Sequence, residues 1–125
     1  MLMNKMYLMK ASDKSYAAVK NIPIGLIGGG AFTKDNQQLF FTQSTAQTAS
    51  DVYKLNLATG AIQRWTESEL GEMQQSDMAL PKFIEWKSFD NLKISGFYYP
   101  AAAKFIGKRP VLINIHGGPE GQSMA

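Results

Sequence analysis

Short apolar runs, separated by polar or glycine-containing clusters, follow one another through the first two-thirds of the chain. In residues 51–57, the large apolar side chains of Tyr53, Leu55 and Leu57 alternate with Val52, Lys54 and Asn56. A period of two residues is typical of a strand with one buried face. The turn-forming residues 58–60 and a second strand at residues 61–66 complete a predicted hairpin.

Other apolar runs before residue 66 also predict strands, because each is bounded by residues that favour turns. The cluster at residues 11–15 separates the two strands of an N-terminal hairpin, and residues 34–37 form the turn of a later one. The glycines of residues 21–25 and 28–30 predict interruptions of the chain. The strands predicted in this way cover residues 6–9, 16–19, 31–32 and 39–42.

Four short strands between residues 31 and 66, joined by tight turns, are the content of one β-propeller blade. A weak internal repeat favours the same architecture. Tyr7 precedes Ala11-Ser-Asp13 as Tyr53 precedes Ala58-Thr-Gly60, and 53 − 7 gives 46 residues, near the ~40 to 50 residue period of blade repeats. The first copy is then the second half of the preceding blade. An ordinary antiparallel meander with similar turns explains the pattern too.

The character of the chain changes after residue 66. Residues 66–77 are polar and acidic without periodicity, so we expect a loop there and a domain boundary near Leu80 and Pro81. Two further strands are predicted at residues 83–89 and 92–99. Asp90 and Asn91 lie between them and accept the positive φ that a tight turn needs.

The apolar run at residues 111–115 predicts a strand that is covered on both faces, as in a parallel sheet. His116, Gly117, Gly118 and Pro119 then end this strand abruptly. Two adjacent glycines let the backbone turn sharply and bring peptide N–H groups close to an oxyanion. An antiparallel pair, a buried strand and a glycine loop are how the sheet of a serine α/β-hydrolase begins.

The composition narrows the possible partners. A hydrophobic content of 45% with 18% charged residues is ordinary for a folded domain of 125 residues. The net charge of +3 comes from scattered basic residues, so no nucleic-acid partner is expected. With no cysteine and one histidine, neither a metal nor a cofactor is expected. No apolar run is long enough for a signal peptide or a membrane span, so no membrane partner is expected; the compartment stays open between cytoplasm and periplasm.

Other candidate sites carry less chemistry. Residues 121–125 resemble a relaxed G-x-S-x-A nucleophile motif, but Ser123 has neither the strand–turn–helix context nor a second histidine to activate it. Residues 25–30 match neither nucleotide-binding fingerprint. Arg64 and Trp65 are explained equally well by a substrate cavity and by packing at a strand end. Three carboxylates lie in the polar stretch after residue 66 and indicate a solvated acidic loop: Glu67, Glu69 and Glu72.

Five segments share features with one enzyme family. They are Asp51-Val-Tyr53, Arg64-Trp-Thr-Glu-Ser-Glu69, Trp86-Lys-Ser-Phe-Asp90, Ile94-Ser-Gly-Phe97 and Pro110 through Gln122. Together they resemble the prolyl oligopeptidase (S9) family of serine peptidases, over residues 24–122. The resemblance implies a mostly β fragment: residues 1–80 are the end of a β-propeller, and residues 81–125 are the first strands of an α/β-hydrolase domain. It also implies that the substrates are oligopeptides, because the propeller covers the hydrolase domain and restricts access to short peptides.

By this resemblance, the N–H of Gly118 is one donor of an oxyanion hole, and His116, Gly117 and Pro119 shape its loop. The family's catalytic Ser, Asp and His follow this loop, so none of the triad is expected within these 125 residues. We therefore expect the chain alone to be inactive. We also expect it to self-associate through exposed sheet edges, because blades normally need stacked neighbours.

Two other functions fit the same residues. The first is a non-catalytic propeller that serves as an interaction module, in which the glycine loop is only a turn. The second is a carboxylesterase with the same oxyanion loop, which Pro119 disfavours because it replaces the third glycine of the lipase HGGG loop.

Overall fold

The computed structural model describes residues 4–118 and Gly121, and its regular structure is mostly β. Eight strands form three small antiparallel sheets, and neither an α-helix nor a closed barrel occurs among the described residues. The predicted mostly β class is confirmed. The strands are β1 (Tyr7–Met9), β2 (Tyr16–Ala18), β3 (Leu26–Phe32), β4 (Gln38–Thr45), β5 (Thr48–Asn56), β6 (Ile62–Arg64), β7 (Lys82–Lys87) and β8 (Lys93–Tyr98), with a 3₁₀ turn at Gln75–Asp77.

The largest sheet has the order β3-β4-β5-β6, so each strand pairs with its neighbour in sequence. Alternate residues of β4 and β5 form its buried face, where Leu39 lies opposite Leu55 and Phe41 opposite Tyr53. The rings of Phe41 and Tyr53 stack with their centroids 5.8 Å apart. The predicted run of four antiparallel strands is confirmed, although β4 and β5 extend further than expected, to a two-residue turn at residues 46–47.

The hairpin β1–β2 packs onto the buried face of this sheet. Met6, Leu8 and Val19 lie against the core formed by the larger sheet. A two-stranded hairpin is marginally stable alone, so this apolar contact is what stabilises it. The predicted N-terminal hairpin is confirmed. The cover is incomplete, because Phe32 at the end of β3 remains 55% exposed.

Residues 28–30, where the sequence predicted an interruption, belong to strand β3. That prediction is wrong because the glycines form an irregular strand and not a turn: the register with β4 shifts between Ile27 and Gly30. A Cβ at Gly28 would collide with Oγ1 of Thr42 on the neighbouring strand. Glycine is needed here for close approach of the two strands at a bulge.

The hairpin β7–β8 forms a separate sheet after the loop at residues 65–81. Its turn is as predicted, since Asn91 has a φ of 64° and the N–H of Ser88 donates to the carbonyl of Leu92 at 2.9 Å. Phe83 and Phe97 pair edge to face on one side.

Two side-chain contacts hold the segment between the sheets. Gln47, in the β4–β5 turn, donates from Nε2 to the carbonyl of Met78 at 2.8 Å. Lys104, beyond the second hairpin, lies 2.7 Å from Oδ1 of Asp77. The 3₁₀ turn is therefore tied to both parts of the chain. The hydrogen bond from Lys104 is the main cause that lowers the pKa of Asp77.

The predicted buried strand at residues 111–115 does not form. No described strand pairs with this stretch, and its apolar side chains Val111, Leu112, Ile113 and Ile115 are 84, 94, 76 and 83% exposed. A strand in a parallel sheet requires hydrogen-bonding neighbours as well as apolar side chains, and the eight strands supply none. The prediction of a buried strand is therefore wrong for the described structure, in which nothing covers these side chains.

Candidate functional site

The loop that contains the predicted oxyanion donor is exposed and turns at Gly118. This residue has a φ of 72°, in the left-handed region that favours glycine. A Cβ built at Gly117 or at Gly118 meets no atom of residues 4–118 or of Gly121 within 4 Å. Among the described residues, none forms a hydrogen bond with the N–H of Gly118. Within the part of the chain that the structure describes, this N–H group is thus left without an acceptor.

Gly121 lies beside the start of the same loop. A Cβ built at residue 121 would be 2.8 Å from the carbonyl oxygen of Gly117 and 3.1 Å from Nδ1 of His116. Gly121 is thus close to both the Gly117 carbonyl and the imidazole of His116. Of the predicted site residues, the structure places His116, Gly117 and Gly118 together. Pro119 lies outside the described residues, as does Ser123, which the sequence rejected as a nucleophile.

A densely hydrogen-bonded polar cluster lies at Asp51, far along the chain from this loop. The carboxylate is fully buried, and Arg64 donates to its Oδ2 from Nε at 3.1 Å and from Nη2 at 2.6 Å. Oδ1 accepts from Oγ1 of Thr66 at 3.1 Å, and from the backbone N–H and Oγ of Ser68 at 2.8 and 3.0 Å. These five hydrogen bonds hold the end of β6 and the residues after it against strand β5.

Opposing effects act on the pKa of the Asp51 carboxyl group. Burial is the largest and raises the pKa, because a charge is costly away from water. The hydrogen bonds from Ser68, Arg64 and Thr66 together outweigh burial, so the pKa lies below its ordinary value. Asp51 is therefore a paired carboxylate, and its hydrogen bonds are directed to this chain.

The contacts of Arg64 and Trp65 in the structure bear on the two interpretations of these side chains. Arg64 forms an ion pair with Asp51. Of its two interpretations, packing at a strand end therefore explains the arginine better than a substrate cavity does. Trp65 lies on the opposite face of the sheet, where its ring meets Phe40 edge to face at 5.5 Å and Nζ of Lys54 lies 4.6 Å from the ring centroid. Sequence reasoning missed the cluster, although its signal was an aspartate on the apolar face of one strand of a hairpin whose other strand ends in an arginine.

A second buried polar side chain, Gln43, lies opposite Asp51 on the neighbouring strand. Its Nε2 donates to the carbonyl of Pro23, while its Oε1 has no hydrogen-bond partner among the described residues. Two clefts of about 280 and 470 Å³ lie beside the N-terminal hairpin, and Leu8 and Leu57 line both. Neither cleft includes the loop at His116, so they belong to the seam between hairpin and sheet.

The described residues contain no group of three or more acidic or histidine side chains that could hold a metal ion. Within this same part of the chain, no helix has the length and apolar character needed to cross a membrane. Comparisons of the chain with known protein families, curated proteins and solved structures found no match. The geometry and the sequence pattern are thus the basis for a functional proposal.

Proposed function

We propose that this chain is part of a serine-type oligopeptidase that resembles the prolyl oligopeptidase family. Residues 1–80 would be the end of its β-propeller, and residues 81–125 the beginning of its α/β-hydrolase domain. The loop from His116 to Pro119 would supply one half of the oxyanion hole, through the N–H of Gly118. The observation that carries the proposal is the positive φ of Gly118 directly after an apolar run and a His-Gly pair.

The chemistry requires a donor of this kind. When a serine attacks a peptide carbonyl, the tetrahedral intermediate carries negative charge on the former carbonyl oxygen. A fixed N–H aimed at that oxygen accelerates the reaction by about a hundred- to a thousandfold. The second donor in α/β-hydrolases is the N–H after the nucleophile. This chain would therefore provide one donor and await the nucleophile, its partner donor and the proton-transfer groups.

Two features of the fold support the proposal. A four-stranded antiparallel sheet whose face is packed by another hairpin is compatible with neighbouring propeller blades. The exposed apolar run at residues 111–115 also needs a cover, because water-exposed runs of this kind mark surfaces that are buried in a larger assembly. The proposal assigns that cover to further strands of a hydrolase sheet.

The first experiment treats the purified chain with a fluorophosphonate probe, which labels activated serines. We expect no labelling, since activation needs a base that the single histidine, placed on the oxyanion loop, does not supply. An active serine peptidase labelled in parallel provides the positive control. Stoichiometric labelling at Ser123 would contradict the assignment of the nucleophile to residues beyond this chain.

The second experiment reads the coding frame beyond Ala125. We expect a G-x-S-x-G sequence, then an aspartate and then a histidine, which is the order of the triad in α/β-hydrolases. Their absence would favour the non-catalytic interaction module. If they are present, assaying the complete protein on peptide amides and on simple esters separates a peptidase from a carboxylesterase.

A further inference from the structure

We propose that Gly121 is a positioning residue that sets the orientation of the peptide between Gly117 and Gly118. Any side chain at residue 121 would displace the Gly117 carbonyl and the His116 ring. The catalytic meaning of this inference rests on the proposed function, because the N–H of the same peptide is the proposed oxyanion donor. Its structural content rests only on the geometry of the loop.

The three described glycines of this loop differ in what they require. Gly117 has no positive φ, and an added Cβ there meets no described residue within 4 Å, so alanine is compatible with the described part of the loop. Gly118 has open space but a φ of 72°, which strains any L-residue. At Gly121, an added Cβ would lie 2.8 Å from the Gly117 oxygen. Only at Gly121 is the constraint a contact with another part of the loop.

The two atoms that crowd residue 121 cannot both move away easily. One is a backbone oxygen and the other is Nδ1 of His116, a ring atom close to its own backbone. Ordinary van der Waals contact begins at 3.4 Å, so the Gly117 oxygen would have to retreat. Because the oxygen projects from a planar peptide, this retreat turns the plane by roughly 20°.

That rotation is transmitted directly to Gly118. In a trans peptide the carbonyl of Gly117 and the N–H of Gly118 point in opposite directions from one rigid plane. With the carbonyl of Gly117 facing Gly121, the N–H of Gly118 points away from Gly121. The small size of residue 121 therefore keeps the donor aimed outward, and a side chain there would aim it elsewhere.

The chain offers an unusually direct readout, because His116 is its only histidine. The imidazole Cε1–Hε1 signal in a ¹H–¹³C NMR spectrum therefore reports on this loop without ambiguity. We would compare the 125-residue chain with Gly121→Ala and with Gly117→Ala as the matched control. Both changes add one methyl group next to the same ring, but only the first creates a collision.

We expect Gly121→Ala to displace the His116 signal several times further than Gly117→Ala does. The ring signals of Phe41 and Tyr53 should be unchanged in both variants, because these residues form the core of the larger sheet. Equal displacements, no displacement in Gly121→Ala, or a disturbed core would overturn the inference. The measurement needs no nucleophile, so its failure leaves the proposed function standing, and failure of the peptidase tests leaves the loop geometry standing.

Discussion

The four-stranded sheet and the C-terminal region, which comprises residues 82–118, contain similar apolar patterns. The two regions differ in how far their apolar side chains are buried. In the sheet, Phe41 is 2% and Leu55 is 1% exposed. In the C-terminal region, Trp86 is 47% and Leu112 is 94% exposed. The sheet has a cover, the hairpin β1–β2, whereas the described part of the C-terminal region has none of comparable size. A strand pattern therefore specifies which side chains can be buried, and a second layer decides whether they are.

The same contrast holds for charged residues. Asp51 in the sheet is fully buried and accepts five hydrogen bonds. Glu85 and Lys93 in the C-terminal region form a 2.8 Å salt bridge that stays largely in water. Removing one partner of a buried ion pair is strongly destabilising, whereas an exposed pair contributes little. The two regions should thus respond unequally to equivalent substitutions.

The largest effect is expected from truncating the core. Phe41→Ala should lower the free energy of unfolding by about 3–5 kcal/mol, because it removes buried area and leaves a cavity. Trp86→Ala, in the C-terminal region, should cost clearly less. Urea denaturation followed by circular dichroism measures both. Equal losses would show that Trp86 is buried in solution and would remove the contrast between the regions.

Removing the Asp51 carboxylate should have the next largest effect. We expect Asp51→Ala to cost about 3 kcal/mol, because Arg64 and the donors of Ser68 lose their acceptor. Asp35→Ala is the matched control, since that carboxylate lies in an exposed turn. The same urea titration measures both. A loss of unfolding free energy in Asp51→Ala no larger than in the control would contradict the stabilising role of the cluster.

Acid should weaken the sheet through the same carboxylate. The pKa of Asp51 is lower in the folded chain than in the unfolded one, so its contribution is complete above the unfolded value of about 3.9. That contribution is lost as the pH falls through the folded pKa. The pKa values of Asp13, Asp35 and Asp77 are also lowered, so acid should destabilise every variant. Urea midpoints from neutral to acidic pH should fall less steeply in Asp51→Asn; identical slopes would contradict this.

The smallest expected effect concerns association through the uncovered region. Burying one leucine side chain is worth about 1.5–3 kcal/mol, so Leu112→Lys should weaken self-association by at least about tenfold. Ile24→Lys is the control, because Ile24 is an exposed apolar residue outside the C-terminal region. Sedimentation velocity over a range of concentrations measures the change. A monomeric parent chain, or equal effects of both variants, would contradict the prediction.

Most of the strand order could be predicted from the sequence, because period-two alternation and turn residues such as Asn91 and Gly60 act locally. Both adopt the positive φ that their turns require. The fate of residues 111–115 could not be predicted in the same way, because pairing depends on strands that are distant in sequence or outside the described structure. Likewise, Gly28 resembles a chain breaker until the position of Thr42 across the bulge is known.

In the candidate site, too, features set by neighbouring residues could be predicted more readily than contacts between separate segments. Two adjacent glycines predicted a sharp turn in this loop, and Gly118 adopts a positive φ there. The closeness of Gly121 to His116 was not predicted, because it joins residues that are not adjacent in the sequence. The cluster at Asp51 required knowing that Arg64 and Ser68 return to the same face of the sheet. Local conformation was thus accessible from the sequence, and convergence of separate segments was not.

The two tryptophans have a practical consequence for spectroscopy. The chain contains two, and they fall one in each region: Trp65 packs against Phe40 beneath the Lys54 ammonium group, and Trp86 lies over Gly96. Indole emission changes with solvent contact and nearby charge, so replacing either one with phenylalanine leaves a single fluorophore that reports on its own region. Two emission curves then reveal, without any added label, whether the two regions unfold together or one after the other.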